Sequence, residues 1–227
     1  MLVLYSGTPG SGKSLHSAEK IYYALKYKRP VIANFEINES KIKKKAEFTY
    51  LPNDKLNPDF LKNYARKYWH GKRVKEEHIT LVIDEAQLLF NAREWSKPDR
   101  KEWLSFFTQH RKYGYHIIMV AQFDNMIDKQ IRSLIEYQYI HRKVSNFGAF
   151  GKIASLFTLG KLFVAVKVWY PLGEKVDSEF FTAKKKYYSI YDTYLVLDEE
   201  YDQLGVQEVL LPVECHEAPD IEQVKGA

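Results

Sequence analysis

The sequence predicts an α/β domain with a mostly parallel central sheet flanked by helices and a strand-rich extension towards its C-terminal end. Three observations carry that expectation. An apolar run, Leu2–Tyr5, leads through a glycine-rich loop into a segment of helical periodicity. A second run, Ile79–Ile83, is apolar or β-branched throughout, as in a parallel strand covered on both faces, and ends in Asp84-Glu85. A third, His116–Ala121, ends in the polar Gln122. In open α/β sheets ligands bind at the carboxyl ends of strands, so these three ends can converge on one edge.

The loop reads Gly7-Thr8-Pro9-Gly10-Ser11-Gly12-Lys13-Ser14, a complete G-x-x-x-x-G-K-S phosphate loop. Lys13 to Lys28 follows as a helix, with Leu15, Ala18, Ile21, Tyr22 and Leu25 at helical spacing. Its glycines turn backbone N–H groups inward around a triphosphate, and the helix N-terminus adds its positive dipole end. Residues 7 to 15, through Leu15, are therefore the expected nucleotide-binding segment, with ATP and Mg²⁺ as ligands. Lys13 would reach the β and γ phosphates while the Ser14 hydroxyl ligates the cation.

Asp84 and Glu85 form a Walker B pattern. Asp84 would hold Mg²⁺, directly or through water, and Glu85 would polarise an attacking water. The competing reading is that an acidic pair after a strand simply starts a helix. Gln122 can read the γ phosphate or orient water, or it is an ordinary polar strand cap.

Further elements follow in order. Val31 to Phe35 reads as a strand, and Asn57 to His70 as a helix with Phe60, Leu61, Tyr64 and Tyr68 on one side. Asp99 to Tyr113 reads as a helix striped by Trp103, Phe106, Phe107 and His110 and ended by Gly114. Met126 to Leu134 reads as a short helix, and Ile135 to Val144 and Leu162 to Tyr170 as strands. Residues 145 to 160 carry Gly148, Gly151 and Gly160, the composition of a hairpin or insertion. Domain organisation is expected as an ATPase domain over residues 1–195 and an acidic tail over 196–227.

Composition narrows the function classes. A chain of 227 residues with 45% apolar content can bury one substantial core. Its single cysteine, Cys215, cannot form an internal disulfide, and no secretory leader reads at the start, so the expected compartment is the cytoplasm. The longest apolar stretch, Ile153 to Tyr170, is broken by Gly160, Lys161 and Lys167 and falls short of the roughly 18 residues of a membrane span. No transmembrane segment is therefore expected. The Asn38-Glu39-Ser40 sequon is discounted without secretion. The seven histidines show no metal-ligand spacing, and no nucleophile triad is identifiable.

The net charge of +5 hides an asymmetry: residues 191 to 227 hold ten Asp/Glu and one Lys, leaving a body of +14. Lysine and arginine cluster at Lys41 to Lys45, at Lys62, Arg66, Lys67, Lys72 and Arg73, at Arg142 and Lys143, and at Lys184 to Lys186. Tyr64, Tyr68, Trp69, Tyr187 and Tyr188 interleave with them, the usual companions of a single-strand groove. DNA, single-stranded favoured, is thus a candidate partner; the bland alternative is solvated charge.

The phosphate loop, the strand ending in Asp84-Glu85-Ala86, His110-Arg111-Lys112-Tyr113-Gly114 before the IIMVAQ strand, and the late Tyr188-Ser189-Ile190-Tyr191-Asp192-Thr193 together carry a resemblance. The chain resembles the cytoplasmic domain of the zonula occludens toxin family, which includes the filamentous-phage assembly ATPase, over about residues 1 to 195. It is also similar to DNA-pumping motors of the FtsK/HerA class. The resemblance implies a P-loop NTPase of RecA/ASCE type, working as a homo-oligomer with a hexamer as its expected ring. Its partners would be DNA and a membrane or phage-coat protein, at the inner face of the cell membrane. It also implies an arginine supplied across subunits, with Arg111 the first candidate and Arg132 the second; either could instead pair with a carboxylate. Phage-assembling members continue into a transmembrane helix and an extracytoplasmic domain, neither of which reads in this sequence. The competing functions are a nucleotide or small-molecule kinase and a nucleotide-dependent scaffold for a coat or membrane partner. No Asn-Lys-x-Asp segment reads guanine.

Overall fold

Eight strands form one sheet in the order β3-β2-β4-β5-β1-β6-β7-β8, as seen in a computed structural model that describes residues 1–43, 45–93, 99–146 and 161–191. The strands are β1 (Leu2–Ser6), β2 (Val31–Ala33), β3 (Phe48–Tyr50), β4 (Ile79–Ile83), β5 (Tyr115–Val120), β6 (Tyr137–Lys143), β7 (Leu162–Trp169) and β8 (Glu174–Thr182). The six from β3 to β6 in spatial order pair in parallel, and β7 and β8 add an antiparallel hairpin beside β6. The helices are α1 (Lys13–Lys26), α2 (Pro58–Trp69), α3 (Arg100–Gln109), α4 (Lys129–Arg132) and α5 (Lys185–Tyr188).

The pleat divides the core. Leu2 and Leu4 of β1 join Leu81 and Ile83 of β4 and Ile117 and Met119 of β5 on one face, covered by Leu61 and Ala65 of α2 and Trp103, Phe106 and Phe107 of α3. Val3, Tyr5, Val82, Ile118 and Val120 project to the other face, under Ala18, Ile21 and Leu25 of α1 and Tyr187 of α5. Every residue of β1 and β4 is buried, the outcome for strands with helices on both sides.

Helix boundaries have local causes. Asn57 caps α2 by accepting from Phe60 N–H at 2.9 Å, with Pro58 at the first helical position. α3 ends at Gln109, and His110–Tyr113 continues as a tighter 3₁₀ turn closed by Gly114 at φ 77°. The helix expected over 126–134 shrinks to the four residues of α4, because Asp128 caps it through Gln130 N–H and Ile131 N–H. β3 and β8 carry no periodicity that singles them out. β8 is an edge strand whose Glu174, Lys175, Val176 and Asp177 are exposed.

The described residues lie within one compact unit, residues 1–192. The expected acidic tail over 196–227, Cys215 and most of the expected 145–160 insertion lie outside the described residues.

Candidate nucleotide site

β1, β4 and β5 run in parallel, so the phosphate loop, Asp84-Glu85 and Gln122 emerge at the same sheet edge. β5 lies between β1 and β4, which sets the acidic pair one strand away from the loop. Gly7, Gly10 and Gly12 have φ of 145°, 72° and 95°, backbone geometry that side chains other than glycine rarely adopt. A Cβ on Gly7 would stand 2.6 Å from the His141 carbonyl oxygen, and one on Gly12 would stand 2.7 Å from the Phe163 ring. Gly7 N–H is anchored on the Gln122 carbonyl at 3.0 Å, so β5 holds the start of the loop.

The donor set fits a polyphosphate. The first bond into α1 runs from His16 N–H to Gly12 O at 3.0 Å, which leaves the N–H groups of Lys13, Ser14 and Leu15 without an acceptor in the chain. Ser11 is buried and its hydroxyl has no hydrogen-bond partner. Lys13 Nζ meanwhile folds onto the loop carbonyls of Gly7 and Thr8 at 2.7 and 3.3 Å. Burial lowers the Lys13 pKa, opposed by Glu85 and Asp84. Thr8, Pro9 and Gly10 form the exposed lip.

Asp84 is held by residues distant in sequence. Asn34, just after β2, accepts from Asp84 N–H at 2.7 Å and donates to Asp84 O at 2.9 Å. The Asp84 carboxylate accepts Glu85 N–H on Oδ1 at 2.9 Å and the Tyr191 hydroxyl on Oδ2 at 2.7 Å. Burial pushes its pKa up, and the two hydrogen bonds and Lys13 act against that. An oxygen-rich pair, Ser14 and Asp84, suits a hard cation such as Mg²⁺. Glu85 is exposed, adopts φ 46° in the left-handed region, and accepts from Gln87. Such strain in a non-glycine residue belongs to sites where a side chain must be aimed.

The side chain of Gln122 faces a cleft of about 430 Å³ whose lining includes Gly7, Thr8, Gln138, Arg142 and Lys143. The two candidate arginines are elsewhere. Arg111 pairs with Glu136, which also accepts Leu2 N–H at 3.0 Å, so Arg111 sits at the opposite edge of the sheet from the loop of its own chain. Arg132, on α4, is half-buried and has no carboxylate partner among the described residues. Beneath the loop, His16 and His141, each 1% exposed, form a polar pair that sequence spacing does not reveal.

The expected stacking aromatics divide. Trp69 is buried and donates to Tyr113 O at 2.9 Å, and Tyr187 is buried under α1, so neither is available to a base. Phe60, Tyr64 and Tyr68 form a ladder along α2 with ring centroids 6.4 Å apart at each step. The ladder lines a groove of about 560 Å³ together with Lys67, Lys72 and Glu47.

Fold and site define a P-loop ATPase of the class in which a strand separates the loop from the acidic pair. The chain belongs to the Zonular occludens toxin (Zot) family, whose model matches residues 1–199. It is 28% identical over 224 residues to the Gene 1 protein of Enterobacteria phage M13, covering 93% of this chain and 64% of that protein. The chain thus spans just under two thirds of the length of that relative. Its fold is similar to the N-terminal domain of zonular occludens toxin from Neisseria meningitidis, at TM-score 0.51 and 19% identity over 84% of this chain and 98% of that one. It is likewise similar to a second ATPase domain of known structure, at TM-score 0.52 and 11% identity over 83% of each chain.

Proposed function

We propose that this domain hydrolyses ATP with Mg²⁺ as an oligomer, a hexameric ring being the favoured assembly, and that turnover drives filamentous-phage assembly or DNA movement. The observation that carries it is the convergence of unbonded loop N–H groups, Lys13, Ser14, Asp84 and Glu85 on one sheet edge. Lys13 and the loop N–H groups would hold the phosphates. Ser14 and Asp84 would hold the cation, which neutralises phosphate charge when bound. Glu85 would orient water, and Gln122 would sense the γ phosphate from the neighbouring strand.

Kinship with an M13 phage protein supports phage assembly as the setting. A membrane or coat-protein partner would then place the domain in the cytoplasm against the inner membrane face; among the described residues no helix is long and apolar enough to cross a membrane. For DNA, the α2 ladder with Lys67 and Lys72 supports single strands, which bind cationic grooves by stacking. A trans-acting arginine remains part of this reading. Because Arg111 is engaged by Glu136, Arg132 gains weight as the residue presented to a neighbour.

The test is phosphate release from ATP across protein concentrations, with and without single-stranded DNA at fixed salt. Specific activity rising with protein concentration and with DNA supports the oligomeric motor. ATP binding without phosphate release under any condition transfers the site to a kinase or a nucleotide-dependent scaffold.

A further inference from the structure

The late Tyr-Ser-Ile-Tyr segment has no task in the ATPase reading, yet its last residue reaches the cation ligands. Asn38 N–H donates to Ile190 O at 2.9 Å, and the Tyr191 ring packs edge-on against Phe35 with centroids 5.0 Å apart. These contacts aim the phenol at the end of β4, where its hydroxyl donates to Asp84 Oδ2 at 2.7 Å.

A phenol has one hydrogen, and Asp84 takes it. The Ser14 hydroxyl bonds the same phenol, so Ser14 must be the donor in that contact. The result is a directed chain, Ser14 to Tyr191 to Asp84. With its hydrogen turned towards Tyr191, Ser14 keeps its lone pairs for a cation. Asp84 is fixed in turn, because Glu85 N–H bonds its other oxygen at 2.9 Å.

We propose that Tyr191 is a positioning residue for the nucleotide's cation, relaying one hydrogen bond between Ser14 and Asp84 so that both ligands are oriented before the metal arrives. This rests on the ATPase reading, since the metal is the one that accompanies the nucleotide. The relay also makes cation binding depend on a segment 107 residues from Asp84 in sequence. Loss of the phenol hydroxyl would leave the Asp84 carboxylate with one donor fewer in surroundings that already disfavour its charge.

The experiment is calorimetric ADP binding to the full chain and its Tyr191→Phe variant, without metal and across a Mg²⁺ titration. The ring is kept, so packing on Phe35 is kept. The expected result is a rise of about tenfold in the Mg²⁺ needed for half-maximal tight binding, the scale of a hydrogen bond to a charged group. Metal-free ADP affinity should stay within about twofold, because the relay touches no phosphate donor. Identical Mg²⁺ titrations for the two proteins overturn the proposal. So does tighter Mg²⁺ binding by the variant, which would make the phenol a competitor of the cation. Absence of Mg²⁺-dependent nucleotide binding in the unmodified chain instead defeats the ATPase reading itself.

Discussion

His16 Nδ1 and His141 Nε2 lie 2.8 Å apart beneath the phosphate loop, and His16 Nε2 faces Glu179 Oε2 at 3.4 Å. This chain ties α1 to β6 and β8. Burial lowers the His141 pKa to about 3 from 6.5. The His16 hydrogen bond, outweighing burial and aided by Lys20, holds Glu179 at about 2 against its ordinary 4.5. Both groups have depressed folded pKa values, so each contributes stability above its unfolded pKa and loses it as pH falls. His141 weakens the fold from pH 6.5 down to about 3, and Glu179 from 4.5 down to about 2. Glu179→Gln should cost about 1–2 kcal/mol at pH 7 after solvent screening, or roughly 3–6 °C in Tm. The deficit should shrink towards pH 3. Melting curves of both proteins from pH 7 to 3 check this, and parallel curves would count against the ion pair.

Lys13→Ala should weaken MgATP binding by about a hundredfold or more, since it removes the only side-chain cation placed on the loop among the described residues. Glu85→Gln should bind ATP within about threefold of the parent and lose about 10² to 10⁴ in turnover, the range of a general-base contribution. Calorimetry and phosphate release on the same preparations separate the two effects. Full hydrolysis by both variants would remove this site from the mechanism.

Gly12→Ala should destabilise the domain by about 1–3 kcal/mol, from left-handed strain and from a Cβ 2.7 Å from the Phe163 ring. Adding Phe163→Ala should recover the steric part only. Denaturant titration of the single and double variants measures the share of each.

Arg111→Ala and Arg132→Ala can each be mixed with Glu85→Gln. A trans arginine predicts that the mixture regains turnover absent from either component, because one interface then holds both intact groups. Arg111→Ala should also lower Tm, as Glu136 loses its guanidinium partner. No recovery in mixed assemblies of either arginine variant would rule out supply across subunits.

Tyr64→Ala and Tyr68→Ala should each weaken single-stranded DNA binding by about 1–3 kcal/mol if bases stack on the α2 ladder. Fluorescence anisotropy with a labelled oligonucleotide at fixed salt reads the loss. Tyr188→Ala, at an exposed ring elsewhere, serves as the comparison.

The parts of the site that are legible in sequence are contiguous. A phosphate loop spans eight residues, and Asp84-Glu85 ends a strand buried on both faces, so local pattern suffices. Asn34, His141 and Tyr191 arrive from distant segments as ordinary polar residues, and periodicity has no signal for them. The only sequence mark of Tyr191 is the Tyr-Ser-Ile-Tyr motif. Trp69 and Tyr187 look like base-stacking rings because they neighbour lysines, whereas helical phase turns both inward. β8 escapes notice for the opposite reason: an edge strand buries too little to need alternation.

The sheet's two borders limit how copies of this chain can join. One border is a strand of three residues, β3, and the other is β8 with its row of exposed charges, so neither offers a template for a ninth strand. Subunits must therefore meet through side chains rather than shared backbone ladders. Contacts of that kind can slip, tilt and re-form during a working cycle without any protomer's sheet being torn open.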